Sequence, residues 1–243
     1  MNLGQAIMEA LESVGSNKLR SALTILGIVI GVGAVIAMLA VGNGAQDTIT
    51  GSISGIGSNL LFVFSGNQTT ELNHVEPLTL DDAEALMDQF QAPSIDKVAP
   101  IISSSSTTVA YGGESASTTI MGVTASYGEV RNWGMLEGEF INDENNLGRA
   151  SVALIGVEVA DKLFDRREGI VGETIRIDGQ PFRVTGVLES KGGGSFGSED
   201  DVVMIPFSTA ESRLIRRYNK SVDTIFVSVL DAELMSQATD EIS

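Results

Sequence analysis

Cysteine is absent from this chain of 243 residues, and histidine occurs only once. Without cysteine there are no disulfide bonds and no thiolate metal ligands. The single histidine, His74, has no second histidine with which to share a metal ion and no serine motif around it, so we interpret it as an exposed loop residue. We therefore predict that the chain is not an enzyme and binds no cofactor or metal.

Basic residues are also scarce, because 15 Lys and Arg face 32 Asp and Glu, for a formal net charge of −17. Binding to a phosphate backbone needs clustered basic side chains, so nucleic acid is excluded as a partner. The acidic pairs Asp81-Asp82 and Asp200-Asp201 do not lie in loops with the spacing of calcium ligands. Helix capping and solubility explain these pairs more simply.

One long apolar run is present: the 21 residues from Ser21 to Val41 carry no charge. As a helix they would cover about 30 Å, the thickness of the hydrocarbon core of a bilayer. A signal peptide has a shorter apolar stretch of roughly 7–15 residues, and a core helix is rarely apolar on every side. We predict a retained transmembrane helix over residues 18–42.

Charges on either side of this run predict its orientation. Lys18 and Arg20 precede it immediately, whereas the first charge that follows is Asp47. The positive-inside rule then places the N-terminus in the cytoplasm and the bulk of the chain outside the cytoplasmic (inner) membrane. The expected location is that membrane, crossed once.

The residues flanking the run also show helical spacing. Residues 1–17 place Leu3, Ile7, Leu11 and Val14 on one stripe, as expected of an amphipathic helix on the cytoplasmic membrane surface or against another cytoplasmic domain. On the other side, residues 43–57 keep enough apolar spacing to predict a helical stalk.

The remaining residues, 58–243, are predicted to form an extracytoplasmic α+β domain with mixed sheets and segregated helices. Residues 58–137 and 201–243 are assigned to a first subdomain and residues 138–200 to a second. The predicted elements are strands at 59–64, 98–110, 117–123, 150–155, 174–177, 182–188, 202–205 and 224–230, and helices starting at 79 and spanning 157–164, 208–217 and 232–243. The helix that starts at 79 is expected to bury Ala83, Leu86, Met87 and Phe90.

A glycine-rich loop lies between the predicted strands at 182–188 and 202–205. It contains Lys191, Gly192, Gly193, Gly194 and Phe196. Such a loop either contacts a partner protein or is a slack connector, and its glycine content favours the connector.

Several segments carry a family resemblance, and the N-terminal ones are the more specific. They are residues 17–24, 26–32, 42–45 and 56–59 near the apolar run, and 127–131, 138–140, 153–156, 163–164, 172, 175–177, 182–187 and 191–192 further along. In these segments the chain resembles the MacB-type permeases of the MacB/FtsX/LolC group of ABC transporters.

The resemblance implies a dimeric permease whose subunits each have four spans, with a large exterior domain between the first and second spans. That domain has a porter-like part and a part called sabre, and the subunit transmits ATP-driven movement across the membrane. The implied partners are membrane lipid, a separate ABC ATPase subunit, a second permease subunit as homodimer or pair, and a periplasmic adaptor protein as a further candidate. With one apolar run instead of four, the chain is expected to be a truncated product.

No phosphate-binding loop of the G-x-x-x-x-G-K-[ST] type occurs, so ATP hydrolysis is expected on another polypeptide. Gly27 and Gly31 lie inside the apolar run, where a small-xxx-small spacing lets two spanning helices approach closely. The alternative function is a stand-alone single-span surface binding or adhesion protein. A secreted hydrolase would need a catalytic constellation, and no such motif is found.

Overall fold

The computed structural model describes residues 4, 5, 8, 18–56, 59–66, 76–194 and 197–242. The chain divides into two compact units, Met1–Ser52 and Ile53–Ser243. The apolar stripe predicted for residues 1–17 and the interpretation of His74 as a loop residue both lie outside the described residues.

The first unit is dominated by α1, a helix of 39 residues from Lys18 to Ile56. Within it, Ala22–Ala40 has a mean hydropathy of 2.6 and is long and apolar enough to cross a membrane, the one such segment in the described part of the chain. A helix suits that role because it satisfies its backbone hydrogen bonds internally. The helical backbone continues to Ile56, through the segment for which a stalk is predicted.

The second unit is built around strands and short helices whose bounds are as follows. Its strands are β1 (Leu60–Val63), β2 (Ile95–Tyr111), β3 (Glu114–Val123), β4 (Met135–Gly138), β5 (Val152–Ile155), β6 (Thr174–Ile177), β7 (Gln180–Leu188), β8 (Gly193–Gly194), β9 (Gly197–Ser198), β10 (Val202–Pro206) and β11 (Thr224–Val229). Its helices are α2 (Leu80–Leu86), α3 (Ser126–Val130), α4 (Asp143–Leu147), α5 (Val157–Phe164), α6 (Phe207–Thr209), which continues into a π-helical turn (Ala210–Leu214), a 3₁₀ turn (Ala232–Leu234) and α7 (Met235–Ile242).

Nine of the strands form one mixed sheet in the order β1-β11-β2-β3-β10-β5-β7-β4. The pairs β3/β10 and β5/β7 are parallel, and the other neighbours along this path are antiparallel. Strand β6 pairs with both β2 and β7, so that β2, β3, β10, β5, β7 and β6 form a closed ring. This arrangement confirms the predicted α+β class.

The length of β2 makes the ring possible. Its first part pairs with β11, and its last residues, Val109 and Ala110, pair with β6. Between them the register shifts at Ser104/Thr107, and Ser106 has a φ of 58°. Such a bulge bends a strand and increases its twist, which lets one strand serve two parts of the sheet.

Alternate residues of the central strands supply two separate apolar cores, because successive side chains point to opposite faces. In β10, Val203 and Ile205 join the larger core, and Val202 and Met204 join the smaller one. Helices α2, α5 and α6 contribute to the larger core, and α3 contributes to the smaller one.

Local signals predicted some elements closely. Helix α5 has the predicted bounds, Val157–Phe164. The β6–β7 hairpin turns at Asp178 and Gly179, whose φ values of 47° and 79° are those of a tight hairpin turn. Thr79 and Asp82 form a reciprocal capping box at the start of α2, which confirms the capping interpretation for that aspartate.

Two predicted helices were too long. Helix α2 ends at Leu86, so Met87 and Phe90, expected to be buried, are 55% and 98% exposed. Asp88 accepts a hydrogen bond from the Phe90 backbone N–H, which favours a turn over a further helical turn. The helix predicted over 208–217 is α6 plus the π-helical turn, and it ends at Leu214 because Ile215 leaves the helix to enter the core.

The subdomain boundaries at residues 137/138 and 200/201 stay a prediction. Strand β10 of the predicted first subdomain hydrogen-bonds to β5 of the second within the same sheet.

Candidate functional site

The glycine-rich loop is held at its base by a single carboxylate. Asp200 accepts hydrogen bonds from the Ser190 hydroxyl at 2.6 Å and from the backbone N–H groups of Lys191 and Gly192 at 2.8 and 3.2 Å. Asp200 in turn is held by its own backbone carbonyl, which accepts from Glu158 N at 3.2 Å. The Asp200 carboxylate therefore holds a loop and not a helix N-terminus, which differs from the helix capping predicted for this acidic pair.

Beyond its base, the loop forms a small β-ribbon. Gly193 and Gly194 in β8 pair with Gly197 and Ser198 in β9, and the Ser198 hydroxyl donates to Glu158 at 2.7 Å. This anchored arrangement differs from the slack connector that the glycine content favours. Phe196, included in the predicted loop, lies outside the described residues.

Lys191 directs its side chain away from the ribbon and onto an aromatic ring. Its Nζ lies 4.6 Å from the centre of the Trp133 ring and donates to the backbone carbonyl of Arg131. Burial, with a smaller contribution from the Arg131 charge, lowers the pKa of Lys191 from 10.5 to about 8. The loop therefore brings a partly desolvated amine next to a buried arginine.

Arg131, directly after α3, is the most unusual side chain of the second unit. Its side chain is only 6% exposed, and its Nη2 donates to Glu199 at 2.8 Å. The guanidinium also lies 5.2 Å from the centre of the Phe226 ring and 5.8 Å from that of Phe62. A salt bridge and two cation–π contacts together keep this charge in a largely apolar environment.

A cleft of about 290 Å³ opens beside this arginine. Its apolar walls are Phe62, Phe64, Met121, Tyr127, Trp133, Val202, Met204 and Phe226, and its polar lining includes Arg131, Ser198, Glu199 and Asp201. Apolar clefts with a few fixed polar groups are the usual form of a ligand or side-chain binding site, and this one is at the lower end of the usual size range.

In the described part of the chain, several buried polar atoms around the cleft form no hydrogen bond. Arg131 Nε and Nη1, Trp133 Nε1 and Asp201 Oδ1 are buried without a hydrogen bond. Burial raises the pKa of the Tyr127 hydroxyl, and the nearby Arg131 and Trp133 partly offset that rise. Buried unsatisfied donors cost free energy, so their presence marks the region as one not optimised for stability alone.

Sequence reasoning missed this cleft. Residues 127–131 were noted only as part of the family resemblance, and Glu199 and Phe226 lie 68 and 95 residues further along the chain than Arg131. Nothing local in the sequence brings these side chains together, whereas the sheet order does, because β1 with Phe62 and β11 with Phe226 are neighbours.

The residues predicted to act at the membrane all lie on α1. Lys18 is exposed, and Arg20 follows on the same helix. An added Cβ at Gly27 or Gly31 would meet nothing within 4 Å, so both positions present open surface for another helix. Among the described residues there is no cluster of three or more His, Cys, Asp or Glu able to hold a metal ion.

Comparison with known proteins identifies a family profile that fits most of the chain. The profile described as "MacB-like periplasmic core domain" matches residues 21–243. The chain is 35% identical over 94% of its length to the macrolide export ATP-binding/permease protein MacB of Hyphomonas neptunium, and 32% identical over 98% to the pyoverdine export ATP-binding/permease protein PvdT of Pseudomonas fluorescens. It spans about a third of the length of these relatives, 35% in each case.

Solved structures agree on the fold. The periplasmic region of MacB from Actinobacillus actinomycetemcomitans matches with a TM-score of 0.65 and 23% identity, over 78% of this chain and 83% of that one. The extracellular domain of the ABC-type transporter YknZ from Gram-positive bacteria matches with a TM-score of 0.63 and 20% identity, over 76% of this chain and 90% of that one.

Proposed function

The chain belongs to the family of MacB-like periplasmic core domains, and on that premise we propose that it is the membrane-anchored extracytoplasmic part of an ABC transporter permease. In this role it couples ATP-driven movement to export or other work outside the membrane. The profile match across residues 21–243, which includes both the apolar helix and the sheet domain, is the observation that carries the proposal.

The coupling element in this proposal is α1. A helix that continues from Ala22–Ala40 to Ile56 without interruption supports transmission of force, because a continuous hydrogen-bonded helix resists bending more than a loop does. About 16 residues follow the apolar window, enough for a stalk of about 24 Å at 1.5 Å per residue. Movement at the cytoplasmic side would reach the sheet domain through this stalk.

The test is an insertion in the stalk of the full-length permease. A flexible Gly/Ser stretch placed after Gly44 should leave ATP turnover intact and abolish export, because the helix no longer transmits movement. A matched control inserts the same number of alanine-rich, helix-forming residues at the same point and should retain more export activity. Export that survives the flexible insertion unchanged would rule out the lever.

We propose the cytoplasmic membrane as the location, with one span in this chain and Lys18 and Arg20 on the cytoplasmic side. The charge asymmetry around Ala22–Ala40 supports this orientation. The chain should stay in the membrane fraction after alkaline carbonate extraction, and a tag after residue 242 should be accessible without permeabilising the cytoplasmic membrane. A tag reachable only after permeabilising the cytoplasmic membrane would reverse the assigned topology.

The partners we propose are membrane lipid, an ABC ATPase, a second permease subunit and a periplasmic adaptor protein. The names of the relatives combine ATP binding with a permease in one protein, and a separate ATPase polypeptide for this chain stays a prediction. The open surface at Gly27 and Gly31 supports close packing of α1 against another spanning helix. Replacing both glycines with isoleucine should weaken that packing, which crosslinking between neighbouring spanning helices would report.

A further inference from the structure

The basic side chains of the sheet domain other than Lys191 fall into two groups. One group lies within 4.0 Å of a carboxylate, and its members are Lys97, Arg131, Lys162, Arg166, Arg167, Arg217 and Lys220. In the other, the exposed arginines 149, 176, 183, 213 and 216 have no carboxylate that close among the described residues. Unpaired arginines are unexpected in a chain with twice as many acidic as basic residues.

Contacts at and next to Ser151 bring three of these five arginines, 149, 183 and 213, into one neighbourhood. The Ser151 hydroxyl accepts from Arg213 Nη1 at 2.5 Å, and its carbonyl accepts from the Arg183 backbone N–H at 2.9 Å. Arg213 Nη2 also lies 3.4 Å from the carbonyl oxygen of Arg149. The contacts bring the loop before β5, strand β7 and the π-helical turn together at one place.

Arg176 belongs to the same surface through the β6–β7 hairpin. Thr174 pairs with Arg183 and Arg176 with Pro181, so Arg176 and Arg183 are diagonal neighbours on one face of the hairpin. Their strand neighbours, such as Ile175 and Phe182, are buried, so both arginines point outward. Gln180 Nε2 also donates to the Arg213 carbonyl at 3.3 Å, which ties the hairpin to the π-helical turn.

The contacts that these arginines make leave most of their charged donors available. Each guanidinium has five N–H donors, and the contacts described are one from Arg176 and two from Arg213, all to carbonyl or hydroxyl oxygens. Planar guanidinium groups bind carboxylates through paired hydrogen bonds. Gathering four like charges raises the free energy of the isolated domain, and a partner with opposite charge would offset that cost.

The form of the surface distinguishes between anionic partners. The arginines lie on two strands, the loop before β5 and the π-helical turn, and none of them lines the cleft beside Arg131. Such a spread suits an extended protein surface better than a single small anion. Val171, 41% exposed, is next to Gly172, which the Arg183 guanidinium approaches, so the surface mixes apolar and arginine contacts as protein interfaces do. The acidic excess of the chain, a net charge of −17, disfavours binding of this exposed surface to anionic lipid headgroups.

We propose that Arg149, Arg176, Arg183 and Arg213, here called the arginine surface, form a docking site for a partner protein that presents a cluster of Asp and Glu side chains. This inference does not depend on the coupling role proposed above. Charge complementarity of this kind mainly accelerates association and selects the partner.

The test uses the full chain in neutral-lipid nanodiscs and a fluorescein-labelled octaglutamate peptide as the acidic probe. The double variant Arg176→Gln/Arg183→Gln should weaken binding by about tenfold, measured by fluorescence anisotropy, since two direct carboxylate partners are lost. The matched control Arg166→Gln/Arg167→Gln removes the same charge from two exposed arginines that are ion-paired, and should change binding less than about twofold. Unchanged circular dichroism and thermal midpoints show that all four substitutions leave the fold intact.

Four results would overturn the proposal. Equal weakening in both double variants would mean that only net charge matters, and absence of peptide binding to the unsubstituted chain would remove the site. Displacement of the peptide by inorganic phosphate, beyond the effect of sodium chloride at equal ionic strength, would assign the surface to a small anion instead. Tighter binding to phosphatidylglycerol vesicles than to the peptide, lost in Arg176→Gln/Arg183→Gln, would assign it to a membrane.

Discussion

The two faces of the nine-stranded sheet are packed in different ways. On the face covered by α2, α5 and α6, the buried side chains are mainly apolar and include Ile177, Phe182 and Ile205, each 1% exposed or less. On the face covered by α3, the same strands pack against aromatic rings, methionines and the charged Arg131, beside a cleft of about 290 Å³. One side of the sheet therefore approaches the close packing of an ordinary protein core, and the other does not.

This difference indicates that one face of the sheet mainly stabilises the fold and that the other is suited to binding. A purely apolar core maximises the hydrophobic contribution to folding, whereas a buried arginine with unsatisfied donors reduces it. Proteins retain such local costs mainly where a surface has a role besides folding. Four substitutions, from the largest expected effect to the smallest, test whether the two faces differ as the contacts indicate.

Truncation in the larger core should cause the greatest loss. Phe182→Ala removes a side chain that is 1% exposed inside the closed ring of strands, and should lower the free energy of unfolding by about 3–5 kcal/mol through lost burial and a residual cavity. Urea unfolding of the full chain in detergent measures the change. Leu147→Ala, at an 87% exposed position, is the control and should change it by less than about 0.5 kcal/mol. Similar losses in both variants would mean that this core is not tightly packed.

On the other face, the informative experiment is a double-mutant cycle. Arg131→Met should lower the free energy of unfolding by about 1–3 kcal/mol, less than for a fully buried pair, because the Glu199 partner that it leaves is 28% exposed. Adding Glu199→Gln should recover much of that loss, since no unpaired charge then remains. If the double variant is as unstable as the sum of both single variants, the ion pair is not the interaction that holds Arg131.

Loss of the loop anchor should have a smaller and local effect. Asp200→Ala removes three hydrogen-bond acceptor contacts from Ser190, Lys191 and Gly192, and should lower the free energy of unfolding by about 1–2 kcal/mol. Hydrogen exchange of the Lys191 and Gly192 amides should accelerate while the strands of the ring stay protected. Asp200→Asn keeps one acceptor oxygen, so its free energy of unfolding should lie between those of Asp200→Ala and the unsubstituted chain. Unchanged exchange would mean that the ribbon is held from elsewhere.

The smallest expected effect is a pH dependence. Because the pKa of Lys191 is about 8 in the folded chain and 10.5 in the unfolded chain, the folded state binds fewer protons between these values. Its destabilising contribution is present in full below about pH 8 and disappears as the pH rises toward 10.5. Lys191→Met should therefore flatten the rise of the urea midpoint over this window, relative to the unsubstituted chain. An identical pH profile in both chains would place Lys191 in solvent.

The sequence predicted elements whose signals are local. The Asp178-Gly179 turn and the helix Val157–Phe164 were found because a two-residue turn and a 3.6-residue period need only neighbouring residues. The apolar helix on α1 was found for the same reason. The resemblance to MacB-type permeases, which the family profile confirms, depended on short segments spread along the chain.

Features that depend on distant parts of the chain were not predicted. The extent of α2 was misjudged because the apolar residues Met87 and Phe90 continue its periodicity although they lie beyond its end. No local sequence pattern indicated that Arg131 would be buried, since its partners come from β1, β11 and the segment after β9. The arginine surface also depends on the pairing of β6 with β7 and on one serine that joins three segments.

The pairing of β1 with β11 has a consequence for how the domain is made. Leu60 lies opposite Ser228, so the first described strand can form its hydrogen bonds only after the last described strand, β11, has been synthesised. Such sequence-distant pairings slow folding and leave strand edges unprotected in the meantime. If the sheet domain matures outside the cytoplasm, an early-exported segment containing Leu61 and Phe62 should depend on holding chaperones until translocation of the remaining strands is complete.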